Sequence, residues 1–100
     1  MTVSVWKGGS AGIHGIRVGR ANRDRYFDRS WAEVEVEIDG TVHRFGLMPA
    51  FWNKCPEFRD RGEPIIRIWL TAQGLISWPK VSPPQLTLEP LGRNRFRLSL

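Results

Sequence analysis

The chain has 100 residues, 41% of them hydrophobic and 25% charged, and this length predicts a single domain spanning residues 1–100. Five Trp and five Phe provide ample apolar surface for a core, which argues against disorder. No apolar run approaches the ~18 residues of a membrane span, and the net charge of +5 favours an anionic partner.

The cysteine content and the N-terminus indicate a cytoplasmic protein without bound metal. The single cysteine, Cys55, excludes an internal disulfide and a multi-cysteine metal site. We interpret it as a small buried residue. Residues 1–9 lack a basic segment followed by an apolar run, so we expect no signal peptide. The chain has neither a Walker A nor a G-x-G-x-x-G pattern, and we expect no cofactor.

The N-terminal third predicts two short strands and one short helix. Residues 3–6 and 16–18 read as strands. Asn22 is a residue type that caps helices, which predicts a helix over residues 22–28. Residues 7–15 are rich in glycine and predict a loop. The letters of residues 8–12 match G-x-S-x-G, but that nucleophile elbow needs a following helix and a large parallel sheet, which this chain cannot supply.

Residues 32–47 carry the clearest local pattern, that of a β-hairpin. Residues 32–38 alternate strictly, with apolar side chains on one face and three glutamates on the other. Asp39-Gly40 suits a type I′ turn, because both central residues of that turn need positive φ. The two-residue loop predicts four cross-strand pairs: Ile38 with Thr41, Val36 with His43, Glu35 with Arg44 and Val34 with Phe45.

Residues 64–73 predict a helix that is buried on most sides. Pro64 suits the first helical position and Gly74 suits the residue just past the end, while apolar residues between them wrap most of the circumference. Residues 85–98 predict a second hairpin around Pro90-Leu91-Gly92. The predicted fold is therefore α+β, with a small antiparallel sheet or partial β-barrel covered by the helix at 64–73.

Two clusters of arginine predict where an anionic partner would bind. Arg93, Arg95 and Arg97 alternate along the last strand, so their side chains would share one face and could follow a phosphate backbone. The alternative is that they pair with the matching row of Glu33, Glu35 and Glu37, if the two strands are neighbours. The sequence leaves both interpretations open.

The second cluster lies in residues 17–31, where arginines interleave with aromatic residues. Nucleic-acid sites combine cations for phosphates with aromatic rings for bases, and Tyr26 is the best stacking candidate. We interpret Phe27 and Trp31 as core residues. Asp24 and Asp28 are too few to neutralise the five arginines of this stretch. The predicted nucleic-acid-binding residues are Arg17, Arg20, Arg23, Arg25, Tyr26, Arg93, Arg95 and Arg97.

These features favour a non-catalytic module that binds DNA or RNA through an arginine-rich surface. An alternative is a protein-interaction or accessory domain that could be homodimeric, because five tryptophans and an apolar helix exceed what so small a core can hide. A third hypothesis is a small hydrolytic enzyme that uses His14 and His43 as acid and base. A single histidine such as His43 on an apolar face is also typical of a hydrogen-bonded core residue.

Overall fold

Strands and short helices alternate along the chain in a computed structural model that describes residues 1–8, 12–79 and 81–100. The strands are β1 (Thr2–Gly8), β2 (Ile13–Arg17), β3 (Glu33–Ile38), β4 (Thr41–Gly46), β5 (Glu57–Arg59), β6 (Gln85–Gly92) and β7 (Arg95–Ser99). The helices are α1 (Arg20–Tyr26), α2 (Pro49–Asn53) and α3 (Ile65–Ala72). The predicted α+β class is confirmed.

The hairpin of β3 and β4 forms in the predicted register, and all four predicted cross-strand pairs occur. Its turn has φ of 50° at Asp39 and 81° at Gly40, the positive values that a type I′ turn requires. Val34, Val36 and Ile38 are buried, while the glutamates between them are half-buried on the opposite face. Local alternation and turn chemistry therefore account for this unit.

The described strands form one sheet in the order β4-β3-β7-β6-β1-β2-β5. Neighbouring strands are antiparallel except β3 and β7, which run parallel. The two edge strands, β4 and β5, lie close to each other. The ring centroids of Phe45 in β4 and Phe58 in β5 are 5.1 Å apart. No strand pairing joins β4 to β5 within the described residues, so the sheet is open rather than closed as a barrel.

The hairpin of β6 and β7 turns later than predicted. β6 continues through Pro90 to Gly92, with a bulge between those two residues, and a bulge is a position where a strand tolerates proline. The turn instead contains Arg93, which has a φ of 50°. Arg93 therefore lies outside the row that Arg95 and Arg97 form on β7.

β1 and β2 extend further into the glycine-rich segment than predicted. They pair from Ser4 opposite Arg17 to Gly8 opposite Ile13, so part of the predicted loop at 7–15 is strand. Residues 9–11, the centre of that loop and of the G-x-S-x-G letters, lie outside the described residues. Gly15 allows β5 to approach β2 closely, because a Cβ on Gly15 would lie 2.5 Å from the carbonyl oxygen of Phe58.

α1 begins at Arg20, two residues before the predicted start. Asn22 does not cap the helix. Its Nδ2 donates to the carbonyl oxygens of Thr2 and Val18, which ties α1 to β1 and to the end of β2. Phe27, which follows α1, stacks on Phe96 of β7 with 4.8 Å between ring centroids. Phe27 is therefore a core residue, as predicted.

α3 packs one face against the sheet. Ile66, Trp69 and Leu70 are buried, whereas Ile68 is 63% exposed. The helix that covers the sheet is thus confirmed, but its burial is confined to one side because the sheet contacts only that side. Gly74, with a φ of 72°, follows the helix end as predicted.

Asp60 caps the start of α3 from outside the helix. Its two carboxylate oxygens accept hydrogen bonds from the backbone N–H groups of Ile66 at 2.7 Å and Arg67 at 3.0 Å. Burial raises the pKa of the Asp60 carboxyl above its ordinary value of 3.8. The two N–H bonds, and the electrostatic effects of His14 and His43, lower this pKa by a smaller amount.

Candidate nucleic-acid interface

Two of the predicted binding residues, Arg95 and Arg97, are paired inside the protein. The parallel pairing of β3 with β7 places Glu35 beside Arg95 and Glu37 beside Arg97. Arg95 donates to Glu35 at 2.9 Å, and Arg97 donates to Glu37 at 2.6 Å and to Glu89 at 3.3 Å. The structure thus shows the internal-pairing alternative for these two arginines.

The outer face of β4, β3 and β7 is therefore close to neutral. Arg44 of β4 also lies 3.5 Å from Glu33 and 3.6 Å from Glu35. Three guanidinium groups then face four carboxylates, which leaves no net positive charge for a phosphate. Arg93, in the turn between β6 and β7, is exposed and forms no ion pair with the described residues.

Arg23, a residue of α1, is only 7% exposed, and its side chain contacts α2. Its Nη1 donates to the carbonyl oxygens of Phe51 at 3.2 Å and Trp52 at 3.1 Å, and its Nε donates to Asp24 at 3.0 Å. These carbonyls belong to the last turn of α2, where the helix itself provides no partners. The structure therefore places Arg23 in the contact between two helices and not at the surface.

Arg17 shares a buried carboxylate with Arg59. The Glu57 side chain is 2% exposed, and its carboxylate oxygens lie 3.9 Å from Arg17 Nε and 3.4 Å from Arg59 Nη2. The Arg17 side chain is itself 56% exposed. Two guanidinium groups thus face one carboxylate, and this cluster keeps a net positive charge.

Arg20, Arg25 and Tyr26 are brought together by α1, whose seven residues span about 10 Å. Both arginines are exposed, and neither forms an ion pair within the part of the chain that the structure describes. The Arg25 guanidinium carbon lies 5.3 Å from the centroid of the half-buried Tyr26 ring. Arg25 and Tyr26 therefore form one cation–aromatic pair on α1, and Arg20 is a further exposed cation of the same helix.

Arg29 and Trp52, which were not among the predicted binding residues, form a second cation–aromatic pair close to α1. Arg29 follows α1, and its guanidinium carbon lies 5.0 Å from the centroid of the half-buried Trp52 ring. Trp52 lies on α2, so only the packing of α1 against α2 brings the two together. We define the α1 patch as Arg20, Arg25, Tyr26, Arg29 and Trp52.

His14 and His43 occupy different environments. His14 is 4% exposed, its Nδ1 lies 2.9 Å from the carbonyl oxygen of Gly12, and its Nε2 has no hydrogen-bond partner among the described residues. His43 is half-buried in a groove beside α3. No hydrogen bond joins the two rings in the described ranges, and no cluster there of three or more His, Cys, Asp or Glu could hold a metal ion.

Two further sequence predictions can be compared with the structure. Cys55, predicted to be buried, is exposed because it lies in the short connection between α2 and β5. Within residues 1–8, 12–79 and 81–100, no helix has the length and apolar character that crossing a membrane requires.

Comparisons of the chain with models of known protein families, with curated proteins and with solved structures find no match. Its function must therefore be inferred from the arrangement and charge of its own residues.

Proposed function

We propose that this protein binds nucleic acid through the α1 patch, without catalysing a reaction on it. The observation that carries the proposal is that Arg20, Arg25 and Arg29, within ten residues of one another, form no ion pair among the described residues. The arginines of β4 and β7 are instead paired with glutamates. Cations without an internal partner are the ones able to neutralise phosphates and release their condensed counterions.

Tyr26 and Trp52 add a second kind of contact to the α1 patch. Each ring is half-buried, so it packs on the protein while part of it faces solvent. An arginine lies over each ring, which restricts the ring's orientation. Because every base has a flat π-face, aromatic rings stack on bases with little regard to sequence. The α1 patch therefore suits DNA or RNA with weak sequence preference.

A tryptophan-fluorescence titration with single-stranded and duplex DNA and RNA, repeated at several salt concentrations, tests this proposal. Three phosphate contacts predict that log K falls linearly with log salt, with a slope of about −2 to −3. Poly-glutamate is the control, because it offers negative charge without phosphates or bases. Equal affinity for poly-glutamate, or no binding to any nucleic acid at physiological salt, would contradict the proposal.

A second candidate function, self-association, is favoured by the apolar groove beside α3. The groove has a volume of about 360 Å³ and is lined by Ile68 together with Ile38, Ile65 and Trp69. Ile68 is 63% exposed, and exposed apolar surface of this kind marks interaction sites. Two carboxylates, from Asp39 and Glu63, also line the groove.

Sedimentation velocity over a wide range of protein concentrations tests this second candidate. Self-association through the groove predicts a sedimentation coefficient that rises with concentration. The variant Ile68→Gln replaces the exposed apolar side chain with a polar one of similar length, and it should sediment as a monomer throughout. A wild-type protein that is strictly monomeric would refute self-association.

A further inference from the structure

A second basic and aromatic site lies along the edge of β1. Among the described residues, the last backbone hydrogen bond on this side of β1 is donated by the Val5 N–H to the carbonyl oxygen of Pro84, and β1 continues beyond it to Gly8. Next to this stretch of β1 is a pocket of about 480 Å³. It is lined by Val5, Trp6, Lys7, Arg17, Trp78 and Pro83.

The Trp6 ring is oriented by Arg59 of β5, whose side chain extends over Gly15 of β2 to contact it. Strand register puts Trp6 opposite Gly15, and Gly15 opposite Arg59. Because Gly15 has no side chain, the Arg59 guanidinium carbon can lie 4.5 Å from the centroid of the Trp6 ring. The glycine, the arginine and the indole therefore form one arrangement that orients Trp6 at the pocket.

The second indole, Trp78, is oriented from two directions. Its ring meets the buried His14 ring edge-on, with 6.4 Å between centroids. On its face, the Lys7 ammonium lies 5.5 Å from the ring centroid. Trp78 is half-buried, while Lys7 is exposed. An ammonium group and a partly exposed indole ring thus lie together at one side of the pocket.

The charge at the pocket is positive. Lys7 forms no ion pair with the described residues, and Arg17 shares the carboxylate of Glu57 with Arg59. The three cations of this region, two guanidinium groups and one ammonium group, therefore outnumber its one buried carboxylate. A ligand that fits here must combine a flat apolar ring with a negative charge, which are the two parts of a nucleotide.

We infer that this pocket binds one unstacked base of a single-stranded nucleic acid, with the adjoining phosphate near Lys7 and Arg17. The inference rests on the proposed function and makes it specific for single strands, because a base within a duplex cannot enter the pocket. Arg17 ends β2 only three residues before Arg20, the first residue of α1. Arg17, which lines the pocket, is therefore the cation of this site that is nearest along the chain to the α1 patch.

The test measures fluorescence anisotropy with labelled oligonucleotides of about 12 nucleotides, as single-stranded DNA, single-stranded RNA and duplex DNA of the same sequence. Wild-type protein should bind the single strands more tightly than the duplex. Trp78→Leu keeps apolar volume but removes the aromatic face, and it should weaken single-strand binding by at least about five-fold. Trp78→Phe, the matched control, should restore most of the affinity. Duplex binding should be the same in all three proteins.

Lys7→Gln provides an independent measurement, since it removes the ammonium group but keeps both indole rings and replaces only an exposed side chain. It should lower the salt slope for single strands by about 0.7 and leave the slope for duplex unchanged. Circular dichroism establishes that each variant is folded, and Lys7→Gln decides the question if Trp78→Leu is not. The inference about the pocket would be overturned if wild type bound single strand and duplex equally and if Trp78→Leu or Lys7→Gln bound like wild type. That result would leave the proposal for the α1 patch unaffected. Failure of wild type to bind any of the oligonucleotides would overturn the proposed function itself.

Discussion

Replacing Arg20, Arg25 and Arg29 together with glutamine is expected to weaken nucleic-acid binding on the order of 100-fold at low salt, at roughly 1 kcal/mol for each lost contact. The salt slope should fall by about 2.7 on duplex DNA or about 2.1 on single strands, because each phosphate contact contributes roughly 0.9 or 0.7. Stability should change little, since these side chains are exposed and have no carboxylate partner among the described residues. Fluorescence titration at several salt concentrations measures both effects.

The matched control is the triple variant of Arg44, Arg95 and Arg97 to glutamine, which lowers the net charge by the same amount. Because these three arginines pair with glutamates, their removal should leave the salt slope close to that of wild type. Equal losses in both triple variants would mean that binding follows net charge and that the α1 patch is not the site. A larger loss in the control would place the site on the face of β7, as the first arginine cluster of the sequence suggested.

Arg23→Met is expected to destabilise the protein by about 2–4 kcal/mol. Methionine fills much of the volume of the arginine stem but leaves the carbonyl oxygens of Phe51 and Trp52 without the donor that the structure provides. It also removes a positive charge from the C-terminal end of α2, where cations are favourable. Urea denaturation followed by tryptophan fluorescence measures the free energy of unfolding.

Arg20→Met is the matched control for this second prediction, because Arg20 is an exposed arginine of the same helix. It should change the free energy of unfolding by no more than about 0.5 kcal/mol. Arg23→Lys should lie between the two, since a lysine keeps the charge but cannot reproduce the branched guanidinium donors. If Arg23→Met proves as stable as Arg20→Met, then Arg23 does not hold α1 to α2, and its role as a surface binding residue is open again.

The elements that were predicted well are those whose determinants are adjacent in the sequence. Alternation over residues 32–38 and the Asp39-Gly40 turn specified the β3–β4 hairpin down to its pairs. The helix end at Gly74 followed from the conformational freedom of glycine at positive φ. Where a longer-range contact intervened, the prediction was less good. Asn22, a typical capping residue, bonds to β1 and to the end of β2 instead, and α1 starts before it.

In the candidate site, too, the features set by neighbouring residues were predictable and those set by long-range contacts were not. The cluster at residues 17–31 was recognisable because its arginines outnumber the nearby aspartates, and the structure leaves Arg20 and Arg25 exposed there. Trp52 and Trp78 could not be assigned to sites, since each meets its cationic neighbour only through packing of distant elements. The burial of Arg23 had no sequence signal either, because its partners are backbone carbonyls of α2.

The sequence alone determined which side chains share a face, because strand and helix periods are properties of the local backbone. It thereby determined that the buried side chains of β3 share one face and its glutamates the other. It also determined that Arg95 and Arg97 lie on the same face of β7. Only the tertiary structure decided which strands became neighbours. The parallel pairing of β3 with β7 turned a row of free arginines into ion pairs. The period of a strand orients its side chains but says nothing about the strand beside it, so the charge that is left for a ligand is set by the topology of the sheet.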